Sequence, residues 1–388
     1  MVKFYPGPIF SKNIRTFKQA PMNKLFSVSL VIQVLLHNVI TYPQARRSAE
    51  VDAKKLLPPE VVRADSLLQE AILRTALQHY DRALSFTDRV IKIYPKEPIG
   101  YFFRAAVLQA RMMDYENYGT DEKAFLEATG WCRQLAQQKL KDPALTGNAK
   151  AWAHFFFGSA IGYEAFVIGK KKKYFEAFHY GWQSIQHLEA ALKIDPQLYD
   201  AYLGIGTYKY YRSKMSKSFR WLPFIKDERE MGMNMIRQAL AQGRYSRTAA
   251  INGLGWILMD EDRPKEALAL IDSALVTYPA SRFFLWSAGE AAFRVKRYEQ
   301  AAAHYRQILS SLQNENHLSP YLELVGRTRL AKVYQAAGKM DEACHELERI
   351  KLLGLSKRDR ERGEEFLKES EKYRRKCHMT ANGKIDTK

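Results

Sequence analysis

The residue types that most often do chemistry are sparse in this 388-residue chain, and none stands in a catalytic spacing. A zinc-protease helix needs two histidines four residues apart, but in "HELER", which begins at His345, Arg349 takes the second position. The run "GIGTYK" at Gly204 lacks the third glycine of a dinucleotide-binding loop. No Walker loop, nucleophile elbow or closely spaced cysteine pair occurs. The sequence therefore predicts a protein that is not an enzyme and holds no cofactor or metal.

The remaining reactive side chains are scattered. Three cysteines are far apart, with no metal-ligand spacing, and their odd number argues against a disulfide framework: Cys132, Cys344 and Cys377. Four histidines are predicted to stand singly on helices: His154, His179, His187 and His304.

The net charge of +19 fits nucleic acid, anionic lipid or an acidic partner, and equally a surface of solvated Lys and Arg. No nucleic-acid recognition module is readable, so nucleic acid is not the expected partner.

The first 45 residues, 1–45, read as a targeting segment. From Met22, one lysine is followed by a mostly apolar run of twelve residues, Leu25–Leu36, and a more polar stretch then ends at Ala45. This is the layout of a secretory signal peptide, and the run is shorter than the ~20 residues of a transmembrane helix. We expect translation from Met22 and export to the bacterial periplasm or cell envelope. An uncleaved anchor is the alternative.

The body of the chain repeats small residues and prolines at a fixed period. Counted from Thr248, four such residues fall at positions eight, twenty, twenty-seven and thirty-two: Gly255, Ala267, Ala274 and Pro279. Antiparallel helices approach closely only where Gly or Ala faces the partner, and Pro ends a helix because it lacks an N–H donor. The same frame recurs from Arg282 and again from Leu324. Earlier segments match it more loosely.

This frame resembles the 34-residue tetratricopeptide repeat (TPR). The resemblance implies an all-α fold, an α-solenoid of about six or seven stacked helix pairs with a concave groove. We assign residues 46–375 to the solenoid, with a charged helical cap at its C-terminal end. Residues 376–388 are predicted to be a disordered tail.

Residues from about 180 to 355 also resemble a eukaryotic group, the tetratricopeptide-repeat-thirty-nine and inclusion-body-clearance family. The resemblance lies in "LPFIKDEREMG" and in "TYPASRFFLWSAGEAAFRVKRYEQ". It implies helical repeats and a scaffold role, linked in some members to lipid or aggregate handling, and it supplies no catalytic residues. The apparent export signal departs from that family, so its cellular role is not transferred.

The segment "SKSFRWLPFIKDEREMG", residues 216–232, lengthens the turn within one repeat. Pro223 prevents a continuous helix, and three neighbouring side chains need apolar cover: Trp221, Leu222 and Phe224. We expect them to plug the groove or the gap between adjacent pairs. A hook that binds a partner and a wedge at a membrane interface are the alternatives.

A binding surface is predicted from the register of the first helix of each repeat. The positions that face the groove hold Tyr210, Tyr211, Asn252, Trp256, Trp286, Glu290, Arg294 and Lys332. Aromatic and Arg side chains are good anchors for a peptide, although the same residues could instead contact the next repeat. We expect a non-catalytic scaffold that binds a partner protein in the groove. The alternative is a peripheral envelope protein that binds lipid or another apolar ligand through the groove and the insert. The sequence does not predict the oligomeric state.

Overall fold

The computed structural model describes residues 58–171, 173–215 and 226–383, and every regular element within them is a helix. The predicted all-α fold class is confirmed. The predicted signal segment, residues 1–45, lies outside the described residues.

Fourteen of the sixteen helices in the described part form seven consecutive antiparallel pairs. The first three pairs are α1 (Pro59–Ala76) with α2 (Tyr80–Ile93), α3 (Pro98–Asp114) with α4 (Tyr118–Leu140), and α5 (Gly147–Lys170) with α6 (Tyr174–Ile194). The next four are α7 (Asp200–Met215) with α8 (Arg229–Gln242), α9 (Arg247–Asp260) with α10 (Pro264–Thr277), α11 (Arg282–Arg294) with α12 (Tyr298–Asn314), and α13 (Pro320–Ala336) with α14 (Met340–Lys351). Two helices end the array, α15 (Lys357–Arg362) and α16 (Glu364–Gly383). Each helix contacts the next, as in an α-solenoid.

Five of the pairs turn in the same way. One residue in each of these turns has a positive φ, between 47° and 77°: Gln78, Glu116, Asp262, Lys296 and Gly338. The N–H of the following residue donates to the carbonyl five positions back, for example Asn117 to Met112 (3.1 Å) and Arg297 to Ala292 (2.8 Å). This is the hydrogen bond of a Schellman motif at a helix C-terminus. The two N-terminal pairs therefore share the repeat geometry, although their sequences match the frame loosely.

The small residues of the frame lie where the two helices of a pair touch. A Cβ added at Gly255 would come within 2.8 Å of the Ile271 side chain, and one added at Gly289 within 2.8 Å of the Tyr305 ring. Both glycines occupy position eight of their repeat. The predicted reason for this spacing, close approach of the partner helix, is thus observed in the α9–α10 and α11–α12 pairs.

The C-terminal end corrects two expectations. Cys344 on α14 and Cys377 on α16 form a disulfide, so the prediction that the cysteines would not pair was wrong for these two. Their separation of 33 residues hid a contact that exists only once α16 folds back. Only Cys132 is a free, buried thiol in the described part of the chain. The last helix also continues to Gly383, past the predicted boundary at residue 375.

Candidate functional site: the first helices and the junction of the two halves

The eight residues predicted to line the groove all lie on the first helices of the last four pairs, and none of them is fully exposed. Six are half-buried: Tyr211, Asn252, Trp256, Trp286, Arg294 and Lys332. Two are buried, Tyr210 and Glu290. Most of these side chains have partners within the protein, as the contacts below show.

Tyr210 connects α7 to the end of α9. Its hydroxyl lies 2.8 Å from a carboxylate oxygen of Asp260 and 2.8 Å from one of Glu261, and its side chain has no exposed surface. Burial and the two carboxylates raise the pKa of Tyr210 far above its ordinary value. Burial also raises the pKa of Tyr211, to about 12. Tyr210 therefore acts as a buried hydrogen-bond donor and does not reach a groove.

Glu290 is the centre of an ion-pair network between α11 and α13. Its carboxylate accepts hydrogen bonds from Arg294 (2.8 Å) and from Arg329 (2.9 Å). Burial alone would raise the pKa of Glu290, but the neighbouring positive charges, led by Arg329, outweigh it and lower that pKa. Arg294 also donates to the carbonyl of Met259 (2.7 Å), which connects the network to α9.

Lys332 lies where the C-terminal helix covers α13. Its ammonium group is 4.6 Å from the centroid of the Phe293 ring and 3.9 Å from a carboxylate oxygen of Glu369 on α16. Nearby, the Gln335 side chain donates to the carbonyl of Tyr373 (2.9 Å). Helix α16 therefore occupies the place beside Lys332 where a partner segment was expected.

Asn252, Trp256 and Trp286 form the part of the predicted groove with the fewest partners. The Ser287 hydroxyl donates to Asn252 Oδ1 (3.3 Å), which brings α9 and α11 together at this point. The centroid of the Trp286 ring is 6.0 Å from that of Tyr305, and Trp256 packs against the same apolar cluster. These two tryptophans remain half-buried on neighbouring first helices.

The insert residues Trp221, Leu222 and Phe224 lie outside the described residues. Whether they plug a gap, form a hook or touch a membrane therefore stays a prediction.

Sequence reasoning missed a junction between the first half of the array, α1–α6, and the second half, α7–α14. Arg282, at the start of α11, has no exposed side-chain surface and pairs with Asp114 at the end of α3 (2.6 Å) and with Glu315 (2.6 Å). Its backbone N–H donates to the Gln78 side chain (3.2 Å). Burial opposes the charge of the guanidinium, yet the two carboxylates raise the pKa of Arg282 above its ordinary value. No periodic signal connects residues 168 positions apart.

The loop between α8 and α9 makes a second contact at this junction. Arg244 donates two hydrogen bonds to Asp65 on α1 (2.7 and 2.5 Å), and the Tyr245 hydroxyl donates to the same carboxylate (2.9 Å). The Tyr245 ring packs edge-on to Phe103 (5.0 Å between centroids) and to Trp152 (6.1 Å). The loop thus inserts an aromatic side chain into the apolar core of the first half.

A third contact joins the α3–α4 turn to the C-terminal end. The rings of Tyr115 and His317 stack with centroids 3.9 Å apart, and Arg362 donates to the carbonyl of Glu116 (2.8 Å). A cleft of about 1050 Å³ opens beside these residues. Its lining is mostly polar and charged, including His79, Asp81, Arg82, Arg111, Asp121, Arg358 and Asp359, and Leu318 is its single aliphatic residue.

No group of three or more His, Cys, Asp or Glu side chains in the described residues is arranged to hold a metal ion. None of their helices combines the length and the apolar character needed to cross a membrane. Two of the four histidines meet between helices, because Nδ1 of His154 on α5 lies 3.1 Å from Nδ1 of His187 on α6.

No protein-family model and no curated protein matches the chain. Among solved structures, the APC/C hetero-tetramer Cut9–Hcn1 is similar over 81% of this chain and 50% of the other, with 15% identity and a TM-score of 0.48. A TPR protein from Cytophaga hutchinsonii is 14% identical, with a TM-score of 0.38. The match covers 75% of this chain and 97% of the other. A TPR protein from Parabacteroides merdae is 12% identical, with a TM-score of 0.34. The match covers 79% of this chain and 98% of the other. The chain spans about half the length of the Cut9–Hcn1 chain. These likenesses concern helical architecture and identify no partner.

Proposed function

We propose that the protein is a non-catalytic interaction scaffold of the bacterial cell envelope, and that it holds a segment of a partner protein against the first helices α9 and α11. The observation that carries this proposal is the pair Trp256 and Trp286. They are half-buried on neighbouring first helices, whereas Tyr210 and Glu290 are buried within the protein. Large aromatic side chains at a partly desolvated surface are the side chains that most often anchor a partner.

The character of the cleft beside Tyr115 favours a protein partner over the alternative of a lipid ligand. A site for an apolar ligand is lined mainly by apolar side chains. The cleft of about 1050 Å³ is instead lined mostly by polar and charged residues, such as Arg82, Asp121 and Arg358. This cleft therefore does not support the binding of an apolar ligand.

Pull-down from bacterial envelope extract tests the site, with the full chain as bait. The double variant Trp256→Ala, Trp286→Ala should lose a specific protein at least tenfold, because truncation of an aromatic anchor commonly costs 2 kcal/mol or more. The matched control is Trp131→Ala, a half-exposed tryptophan on α4 that lies outside the predicted groove. Circular dichroism should show equal helicity for all three proteins. If the double variant and the control retain the same proteins, the groove assignment fails.

Fractionation tests the location separately. The predicted signal segment, residues 1–45, should direct the chain to the periplasm or the envelope, and deletion of Leu25–Leu36 should leave it in the cytosol. An intact chain recovered in the cytosolic fraction would contradict export without affecting the groove proposal.

A further inference from the structure

The outer face of α6 exposes three large aromatic side chains in a row. Phe175 is 89% exposed, Phe178 50% and Trp182 49%. Since they are three and four residues apart, they lie on the same side of the helix, and we call them the α6 aromatic face. Contiguous apolar surface on a soluble protein marks an interaction site, whereas single exposed apolar residues need no explanation. Val276 on α10 and Leu352 after α14 are such single residues.

Positive side chains border this face at its N-terminal end. The sequence has lysine at residues 170–173, of which Lys170 ends α5 and Lys171 and Lys173 lie in the turn into α6. The side chains of Lys171 and Lys173 are 43% and 61% exposed, and the structure pairs each with one glutamate, Glu122 and Glu176. Ion pairs at the surface are weak, so both lysines can exchange a carboxylate for another anion.

A second cation borders the aromatic face on the side of α7. The Tyr208 ring lies with its centroid 6.4 Å from that of Phe178, and the Arg212 guanidinium carbon is 5.5 Å from the centroid of Tyr208. The Arg212 side chain is 45% exposed, although it also pairs with Glu228. Aromatic rings are therefore flanked by accessible cations on two sides of one surface.

We propose that the α6 aromatic face is a docking surface for an anionic phospholipid membrane. Phe and Trp rings suit the boundary between headgroups and acyl chains, and Lys and Arg beside them reach the phosphates. Cations next to an anionic membrane strengthen binding to it, so Lys171, Lys173 and Arg212 complement the negative surface. This inference is independent of the proposed groove, because α6 is the second helix of its pair and the groove residues lie on α9 and α11.

Vesicle binding by the full chain tests the proposal first. The protein should bind vesicles of phosphatidylglycerol and phosphatidylethanolamine more tightly than vesicles of phosphatidylcholine, and added salt should weaken the binding. The triple variant Phe175→Ser, Phe178→Ser, Trp182→Ser should bind the anionic vesicles at least tenfold more weakly. The matched control, Val276→Ser with Leu352→Ser, removes two exposed apolar side chains elsewhere and should bind like the original chain.

Fluorescence quenching then locates the contact. Trp182 should be quenched by lipids that carry bromine in their acyl chains, and most of that quenching should disappear in Trp182→Phe, which keeps an aromatic ring. The first 57 residues contain no tryptophan, so attachment through the leader produces no such signal. Equal quenching in Trp182→Phe, or none in either protein, overturns the proposal. So does an α6 face that is buried by self-association without vesicles, shown by a dimer that the triple variant abolishes.

Discussion

The two halves of the array are built from the same helix pair but differ in the length of several helices and in the side chains that fill their cores. In the second half, α9, α10 and α11 have only 13 to 14 residues each, and Gly255 and Gly289 allow their partners to approach closely. In the first half, α4, α5 and α6 have 21 to 24 residues each. The first-half core is rich in large rings, including Phe102, Phe103, Trp152, Phe155 and Phe156.

The difference shows what a strict repeat frame does. Where small residues recur in register, each pair stacks on the next with short helices and the sequence pattern is easy to recognise. Where the sequence matches the frame less closely, aromatic side chains fill the space between longer helices. The repeat is then harder to recognise in the sequence, although the first two pairs keep the same turn geometry. The halves then need specific polar contacts to hold them together. Arg282 and Asp65 are the central residues of those contacts.

Loss of Arg282 should have the largest effect on stability. In Arg282→Met the carboxylates of Asp114 and Glu315 lose their partner, and Asp114 is left as an unpaired buried charge. Breaking a buried ion pair in this way costs about 3–5 kcal/mol. Urea unfolding should show a decrease of that size in the free energy of unfolding.

An exposed arginine elsewhere in the second part of the chain, Arg358, supplies the control. Arg358→Met should change the free energy of unfolding by less than about 0.5 kcal/mol, because Arg358 lies at the surface. Adding Asp114→Asn to Arg282→Met should recover part of the loss, since the buried charge is then removed. An Arg282→Met variant as stable as Arg358→Met would show that the junction does not hold the two halves together.

Loss of the disulfide at the end of the second half should have the second largest effect on stability. Cys344→Ser removes the bond to Cys377, which closes a loop with a separation of 33 residues, and such bonds typically contribute about 2–4 kcal/mol. Helix α16 should detach more readily from α13 and α14, because only non-covalent contacts then remain, an apolar cluster and the Lys332–Glu369 ion pair among them. Thermal unfolding and hydrogen exchange of α16 measure the effect.

Reducing agent provides the check on that expectation. The original chain under reduction should lose as much stability as Cys344→Ser, whereas the variant should not respond. Mass spectrometry of the oxidised chain that finds free thiols at both positions would contradict the pairing.

The sequence predicted what is periodic and local. Short-range spacing predicted about six or seven helix pairs, the stop at Pro279 and the small residues at helix contacts, and the structure has seven pairs in its described part. The partner of Arg282, at the first position of its repeat, could not be predicted. Asp114 is 168 residues away, and the sequence alone gives no reason to expect that either charged side chain is buried. The cysteine pair was misread for a related reason, since its geometry depends on how α16 folds back.

The smallest predicted effect belongs to the first half and depends on pH. Burial lowers the pKa of His154, with further contributions from His187 and Lys150, and burial lowers the pKa of His187. The unfolded chain therefore binds protons on these groups at a pH where the folded chain does not, so stability is full above a pH of about 6.5 and falls as the pH decreases.

The double variant His154→Gln, His187→Gln should show a shallower fall in melting temperature between about pH 7 and pH 5. Burial also lowers the pKa of His304, which is unchanged in the double variant. The melting temperature of the variant should therefore still fall with decreasing pH, but less steeply. Identical slopes would mean that these two histidines do not oppose protonation in the folded state.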